Sequence, residues 1–536
     1  MGSKAIIAGS IASLGSHYVL GLEALGCANG DTLARGQAEA VSKEGVLKAL
    51  GGVASQVRGK VGESLSSLER YDFPADATTG SLEALRAYAM GIKTARETEE
   101  AKAIPFFQHA IRLDPGFALA YAELGAAYDN LGEETRAADN LTKAYGLLDH
   151  LTERERYHIT AMYHSDVTGD LDREQAACEL WAQNYPRDMV ARSLLAEVYS
   201  ILGQREKAKI QFEEALRLDP DSAINYGNLA VGYVALDRLN EGKAALDRAQ
   251  ARGLDGIIIH ENLYSIAFLR GEIAEMGRQV AWAAGKPGVE DKLLSQESDT
   301  EAYYGRLRMA REVSRRAVES TIRSDDQETA AIWRVNAALR EAEIGKPDIA
   351  RQDVKAALKL AASREVNILA ALVFARIGDV ARAKRMIGQL ERDNPSNTIL
   401  KVYWLPTLRA SLEVHADNPE SAVSLLQIAT PYELGEAAYI SNMYPAYMRG
   451  QAYLLAHNGK AAATEFKKLL DHPGIVQNDI LGALSHLQLA RAEQMAGDKD
   501  AAGKEYSGFL MLWKDADPDI PALVQAKAEY ARLQLQ

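Results

Sequence analysis

The chain has 536 residues, of which 47% are hydrophobic and 25% charged, an ordinary soluble globular composition. That length exceeds what one compact core supports, so two or more domains or a repeat array are expected. The net charge of −13 and the absence of any Lys/Arg run argue against a nucleic-acid binder, which needs a basic stripe to displace counterions. The two cysteines, Cys27 and Cys178, make neither a disulfide framework nor a metal-ligand spacing, and read as small core residues. The apolar stretch from Ala5 to Leu25 is interrupted by Ser10, Ser13, Gly15, Ser16, His17 and Glu23, too polar for a spanning helix or a signal-peptide core.

In chain order, Lys4–Ile11, His17–Leu25 and Thr32–Val41 read as short strands. They are separated by Ser13–Ser16 and by Ala28-Asn29-Gly30-Asp31, whose Asn-Gly pair is a strong turn signal. Ser42 suits an N-cap for a helix placing Val46, Leu47, Leu50, Val53, Ala54, Val57 and Val61 on one face. So small a layer rarely buries enough area to stand alone, so residues 1–69 are expected to be the back part of an α/β module. Pro74 and Gly80 mark residues 70–81 as a linker. From 82 to 536 the sequence is helical and repetitive.

The repeat has a readable period. Starts at Ala84 and Ala118 are 34 residues apart, as are those at Met189 and Ala223. One unit contains Tyr121, Leu124, Gly125, Tyr128, Gly132, Ala137, Leu141 and Ala144; the next clear one contains Leu195, Ala196, Tyr199, Gly203, Ala208, Phe212, Ala215 and Pro220. Small residues at Gly125 and Ala137 let paired helices approach, large ones fill the space between, and Pro115 and Pro220 stop the second helix. This pattern resembles the tetratricopeptide repeat, which implies a mainly α fold, an α-solenoid preceded by the small α/β module. Weaker repeats recur around Gly345, Gly378, Gly450 and Gly497, and Ala522–Leu533 is expected to cap the array. Residues 146–188 and 250–328 depart from the pattern, which predicts longer helices or kinks there.

Catalytic motifs fail on inspection. His260-Glu261-Asn262-Leu263-Tyr264 lacks the second histidine of a zinc-protease helix. Gly59-Lys60 is followed by Val61 where a phosphate loop carries its magnesium-binding hydroxyl. No catalytic residue, metal ligand or cofactor is therefore expected. A solenoid of this kind implies a peptide or protein partner held in a concave groove lined by the first helix of each pair. Here that face carries Leu119, Ala122, Ala126 and Asp129, then Val190, Ser193, Glu197 and Ser200, then Ile224, Gly227, Asn228, Val231 and Val234. A mainly apolar, mildly acidic groove is expected.

The family's clamp for a C-terminal carboxylate uses lysine, asparagine and arginine. Asn228 matches it, while the accompanying cations are absent. Asn225 and Asn228 are the polar candidates for partner binding. The aromatic stretch with Tyr403, Trp404, Tyr432, Tyr439, Tyr444 and Tyr447 is a second candidate surface, weighed against the simpler reading as inter-helix core.

A further resemblance spans the chain. The string from Ala8 to Leu20, Gly30-Asp31-Thr32-Leu33-Ala34, Gly62-Glu63-Ser64-Leu65 and the stretch Leu512–Asp519 resemble bacterial eukaryotic-like serine/threonine protein kinases with a TolB-like module and a tetratricopeptide tail. That resemblance implies an extracytoplasmic sensor or scaffold region, with the kinase domain outside this chain. No Gly-rich loop, His-Arg-Asp or Asp-Phe-Gly is present, so no catalytic residue carries over. Two alternatives remain open on sequence: a small-ligand receptor at the junction of the α/β module and the first repeats, and a free-standing cytoplasmic assembly factor.

Overall fold

The computed structural model describes residues 5–15, 17–43, 45–62, 79–96, 100–436 and 442–535. Most of the expected linker, Glu63–Leu65 and Tyr439 lie outside these residues. The chain divides into two compact units. The first comprises residues 1–95, 99–128 and 136–163; the second comprises 96–98, 129–135 and 164–536.

In the first unit, β1 (Ala5–Leu14), β2 (His17–Gly26) and β3 (Thr32–Ala40) form an antiparallel meander in the order β1-β2-β3. Ala5 lies opposite Gly26, Leu14 opposite His17, and Glu23 opposite Arg35, whose guanidinium it pairs with at 2.9 Å. The Asn-Gly turn forms as expected, with Gly30 in the left-handed region. The helix Val46–Lys60 lies against the sheet and buries Val46, Leu47, Val53 and Val57. It begins at Gly45, which makes no side-chain cap, rather than at Ser42. Cys27 falls in the turn after β2 and is exposed, not a core residue; Cys178 is fully buried.

The helices that follow are paired as the 34-residue period predicts. Ala118–Leu131 starts the clearest pair and Glu134–Tyr145 completes it. A Cβ on Gly125 would meet Leu141 at 2.8 Å, which explains why the smallest residue stands there. Of the two departures noted in the sequence, the first has an irregular helix as its counterpart. A π-helical segment, Tyr163–Thr168, falls there, while the later region holds ordinary pairs, one with the 17-residue helix Leu307–Arg323. The last described helix is Pro521–Gln534, where Ala522–Leu533 was expected to be helical.

In the second unit the turns between paired helices repeat with the same period. Gly169, Gly203, Asp237, Gly271 and Gly305 all have positive φ and stand 34 residues apart. Four of these turns meet residues far along the chain. The Gly169 carbonyl accepts from Thr398 N at 2.8 Å, and Leu171 N donates to the Thr398 hydroxyl across 227 residues. Next to Gly203, Glu436 N donates to the Ser200 carbonyl at 3.1 Å, and Arg205 Nε donates to the Leu434 carbonyl across 229 residues. Gly474 N donates to the Asp237 carboxylate at 2.7 Å across 237 residues. Asp517 N donates to the Gly305 carbonyl at 3.0 Å. The helix pairs of this unit thus coil back on themselves, and one row of turns is sewn to later repeats by backbone hydrogen bonds.

This seam tolerates no side chain at its closest points. A Cβ on Gly474 would run into the Val234 carbonyl oxygen, and one on Gly435 into that of Ile201. Gly474→Ala is therefore expected to destabilise by about 1–3 kcal/mol, the usual range for overpacking. Gly503→Ala, in mid-helix with open space around it, should stabilise by about 0.5–1 kcal/mol. Thermal denaturation of the two variants checks the pair; a Gly474→Ala melting point equal to wild type would contradict the seam.

Candidate functional site

The residues the sequence singled out fall into two groups. Tyr403, Trp404, Tyr444 and Tyr447 are each no more than 1% exposed and belong to the main hydrophobic cluster of the second unit. Tyr403 and Trp404 pack edge-to-face with centroids 5.1 Å apart, and Tyr447 packs similarly on Phe466 at 5.7 Å. The Tyr403 hydroxyl accepts from Tyr444 N at 3.2 Å, and the Tyr444 hydroxyl donates to Glu343, itself held by a bidentate pair with Arg376. Burial pushes the Tyr444 hydroxyl well above its ordinary range, with the Glu343 carboxylate adding to it. These rings fill space between helices, the alternative weighed for them above.

The two asparagines behave differently. Asn225 is buried: its Nδ2 donates to the Asp219 carbonyl at 3.1 Å, and its backbone N donates to the Ser222 side chain that caps the helix Ala223–Ala235. It locks the turn that starts a repeat. Asn228, one turn further along the same helix, is half-buried and donates through Nδ2 to Glu197 at 3.5 Å. Glu197 comes from the first helix of the preceding repeat, Met189–Ile201.

Along this first-helix face the small and apolar members are largely packed away. Gly227 lies under Ile258, and Val234 is 1% exposed. What stays accessible on it is mixed: half-buried Val190, Ile224 and Val231 together with half-buried Asn228 and Glu197 and exposed Asp129. Glu197 is joined there by residues the sequence reading did not select. Asp129 and Glu134 belong to the short segment 129–135 of the second unit, Asp166 to the π-helical segment, Glu174 to Leu171–Asn184, and Arg364 and Glu365 to Arg364–Arg376.

Their electrostatics identify them as one cluster. Crowding by surrounding protein raises the Asp129, Asp166 and Glu365 carboxyls, and neighbouring carboxylates raise Asp166 further. Glu134 is pushed up to about 8, by burial first and then by Glu365, with Arg364 opposing. Glu197 is pushed up to about 7 by burial, then by Asp129 and Glu436. Glu174, 2% exposed, is raised well above the usual carboxylate range by burial, then by Asp166 and Glu197. Like charges brought together out of bulk water disfavour the ionised form, and both causes act here. Arg364 sits among them with Nη1 donating to the Asp166 backbone carbonyl at 3.3 Å.

No three His, Cys, Asp or Glu side chains converge as metal ligands among the described residues. His260, of the broken zinc motif, has both ring nitrogens engaged, with Gln279 at 2.6 Å and Asp255 at 2.7 Å, and stacks on Trp282. No helix among the described residues is long and apolar enough to cross a membrane.

Residues 191–222 match the tetratricopeptide repeat family. No curated protein matches the chain. Similar solved structures include the APC/C hetero-tetramer Cut9–Hcn1, at 13% identity over 91% of this chain and 94% of that one with a TM-score of 0.42. Yeast Tom70 is similar at 13% identity over 84% and 96%, TM-score 0.29, and the human IFIT1 dimer with PPP-AAAA at 12% over 81% and 92%, TM-score 0.35. One repeat of the chain matches that family, and the helix pairs on either side of it build a mainly α solenoid preceded by a small three-stranded α/β module. Such repeats form protein-interaction scaffolds.

The raised carboxyls carry a stability consequence. An unfolded glutamate loses its proton near about 4.3, whereas folded Glu134 keeps its proton to about 8. Between those values the folded state binds more protons, so stability falls as pH rises through the window. The melting temperature is expected to drop as pH rises from about 4.3 to about 8. Glu134→Gln should flatten that slope and raise the melting point at the alkaline end. A slope identical in wild type and variant would contradict the assignment.

Proposed function

We propose that this chain is a non-catalytic scaffold or sensor region whose second unit captures a protein or peptide partner on the inner, first-helix face around Glu197 and Asn228. The observation that carries this reading is the set of side chains left accessible on that face: half-buried Asn228 and Glu197 with exposed Asp129, beside half-buried Val190, Ile224 and Val231. Asn228 supplies an amide that can both donate to and accept from an extended backbone, the chemistry a peptide groove uses. The resemblance to bacterial serine/threonine kinases with a TolB-like module supports placing this scaffold as the extracytoplasmic regulatory part of such a kinase.

A photo-crosslinking amino acid at position 228 tests the reading in extracts of the source cells. It should trap a discrete partner, whereas the same probe at Ile273, 77% exposed on a second helix, should not. Asn228→Ala should weaken capture several-fold without altering the melting temperature. Equal trapping at 228 and 273, or none at 228, would overturn the inner face as the capture surface.

A further inference from the structure

The sheet of the first unit has two outer edges of different character. The β3 edge carries Arg35 and Glu39, charged side chains of the kind that keep an exposed strand from pairing. β1 holds no charged residue and no proline from Ala5 to Leu14, and β2 is the only strand beside it among the described residues. Such an edge presents a row of main-chain donors and acceptors that another strand can take up.

The pairing of β2 decides which groups of β1 lie on that edge. Gly26 N donates to the Asp31 carbonyl at 2.8 Å, on the β3 side of β2. Bonding direction alternates along a strand, so even-numbered β2 residues bond toward β3 and odd-numbered ones toward β1. Leu14 facing His17 across a two-residue turn gives the same phase. Odd-numbered β2 residues lie opposite even-numbered β1 residues. The N–H and C=O of Ala5, Ile7, Gly9, Ile11 and Ser13 therefore point outward. Side chains alternate with the same period. Ile7 lies opposite Ala24 and Ile11 opposite Leu20, and both partners are buried with residues of the helix Val46–Lys60. That helix packs over β2 and β3, which leaves Ile7 59% and Ile11 55% exposed on the helix-bearing face.

We propose that the β1 edge is an interface between two copies of this chain, paired antiparallel about a twofold axis that sets Gly9 against Gly9 and joins the two sheets into one. What selects a second copy is the symmetry of the strand about that glycine. In this register Ile7 lies opposite Ile11 of the second copy, Ile11 opposite its Ile7, and Ala5 opposite its Ser13. These are the residues whose N–H and C=O point outward, so every opposed pair exchanges main-chain hydrogen bonds. An axis perpendicular to the sheet keeps both helices on one face, where the isoleucines of the two copies meet as cross-strand pairs. On the other face Ala8 lies opposite Ser10 of the second copy and Ile6 opposite its Ala12, so a small residue stands in each pair. The same patch serves both copies, as a closed twofold interface requires, and no like charges meet across it. The proposal is independent of the capture surface on the second unit.

The test is sedimentation equilibrium on the full chain across a range of concentrations. The unaltered protein is expected to associate to twice the mass of one chain. Ile7→Lys with Ile11→Lys sets like charges opposite each other and should leave a monomer. Both side chains are more than half exposed, so its circular dichroism should match that of the unaltered chain. Ile7→Lys with Ile11→Glu places lysine opposite glutamate across the axis and should dimerise more tightly than the double lysine variant. A mixture of Ala8→Cys and Ser10→Cys chains, each in a Cys27→Ser background, should cross-link on mild oxidation more than either alone. Those two positions form a non-hydrogen-bonded pair, whose close Cα atoms suit a disulfide. A chain that is monomeric at every concentration would overturn the proposal and leave the edge to a strand from elsewhere. So would a dimer unmoved by the double lysine substitution, or no gain from the lysine–glutamate pair. Should the double lysine variant fold poorly, the cysteine mixture decides: a preferential cross-link supports the register, and its absence overturns it.

Discussion

The second unit depends on backbone meeting backbone across long sequence separations. In a repeat array each module ordinarily touches only its neighbours, so stability is a sum of local terms. Here the turns at Gly169, Gly203 and Asp237 also bond to residues 227 to 237 positions further on. The donors and acceptors are largely main-chain groups, which are too short to reach unless the two segments nearly touch. That requirement explains Gly435 and Gly474 at the points of closest approach. It also makes the unit more than one-dimensional: loosening one seam contact removes support from repeats far away in sequence.

The same closure sets the electrostatics. A carboxylate on the accessible face of an isolated helix pair is well hydrated and keeps an ordinary pKa. Folded into this unit, Asp129, Asp166 and Glu197 come within one another's field while protein crowds out bulk water around them. The helices are held by apolar packing and by the seam, so the carboxylates are carried into proximity rather than drawn there. Their mutual repulsion is tolerated because the remaining structure outweighs it. Sites that bind by charge are commonly arranged in this way, with like charges held together by a scaffold whose stability comes from elsewhere.

Local structure was largely legible in the amino-acid order. Alternating apolar residues and an Asn-Gly turn gave the three strands, with ends shifted by a residue or a few, and the spacing of Val46, Leu47, Val53 and Val57 gave the helix packed on them. The helix start was misplaced because Ser42 is a good cap in isolation, yet the chain turns only at Gly45. Asn228 was singled out because the repeat register fixes which residues of a first helix face inward. Glu134 and Glu365 were missed because, taken singly, an acidic residue in the first turn of a helix reads as a favourable dipole partner facing solvent. Asp166 lies in a π-helical segment, where a 3.6-residue period misassigns the face.

What the sequence by itself determined is therefore the repeat: its 34-residue period, the small residues that let paired helices touch, and the aromatic residues that fill the space between them. These are nearest-neighbour properties, written in residues at most one repeat apart. Only the tertiary structure decided which repeats meet across more than 200 residues, and hence which carboxylates share one environment. The physical reason is that small rotations between successive helix pairs accumulate along the array. No local pattern records their sum, yet that sum brings the charge of Asp129 to bear on Glu197 and leaves a buried Glu174 oxygen without a hydrogen-bond partner.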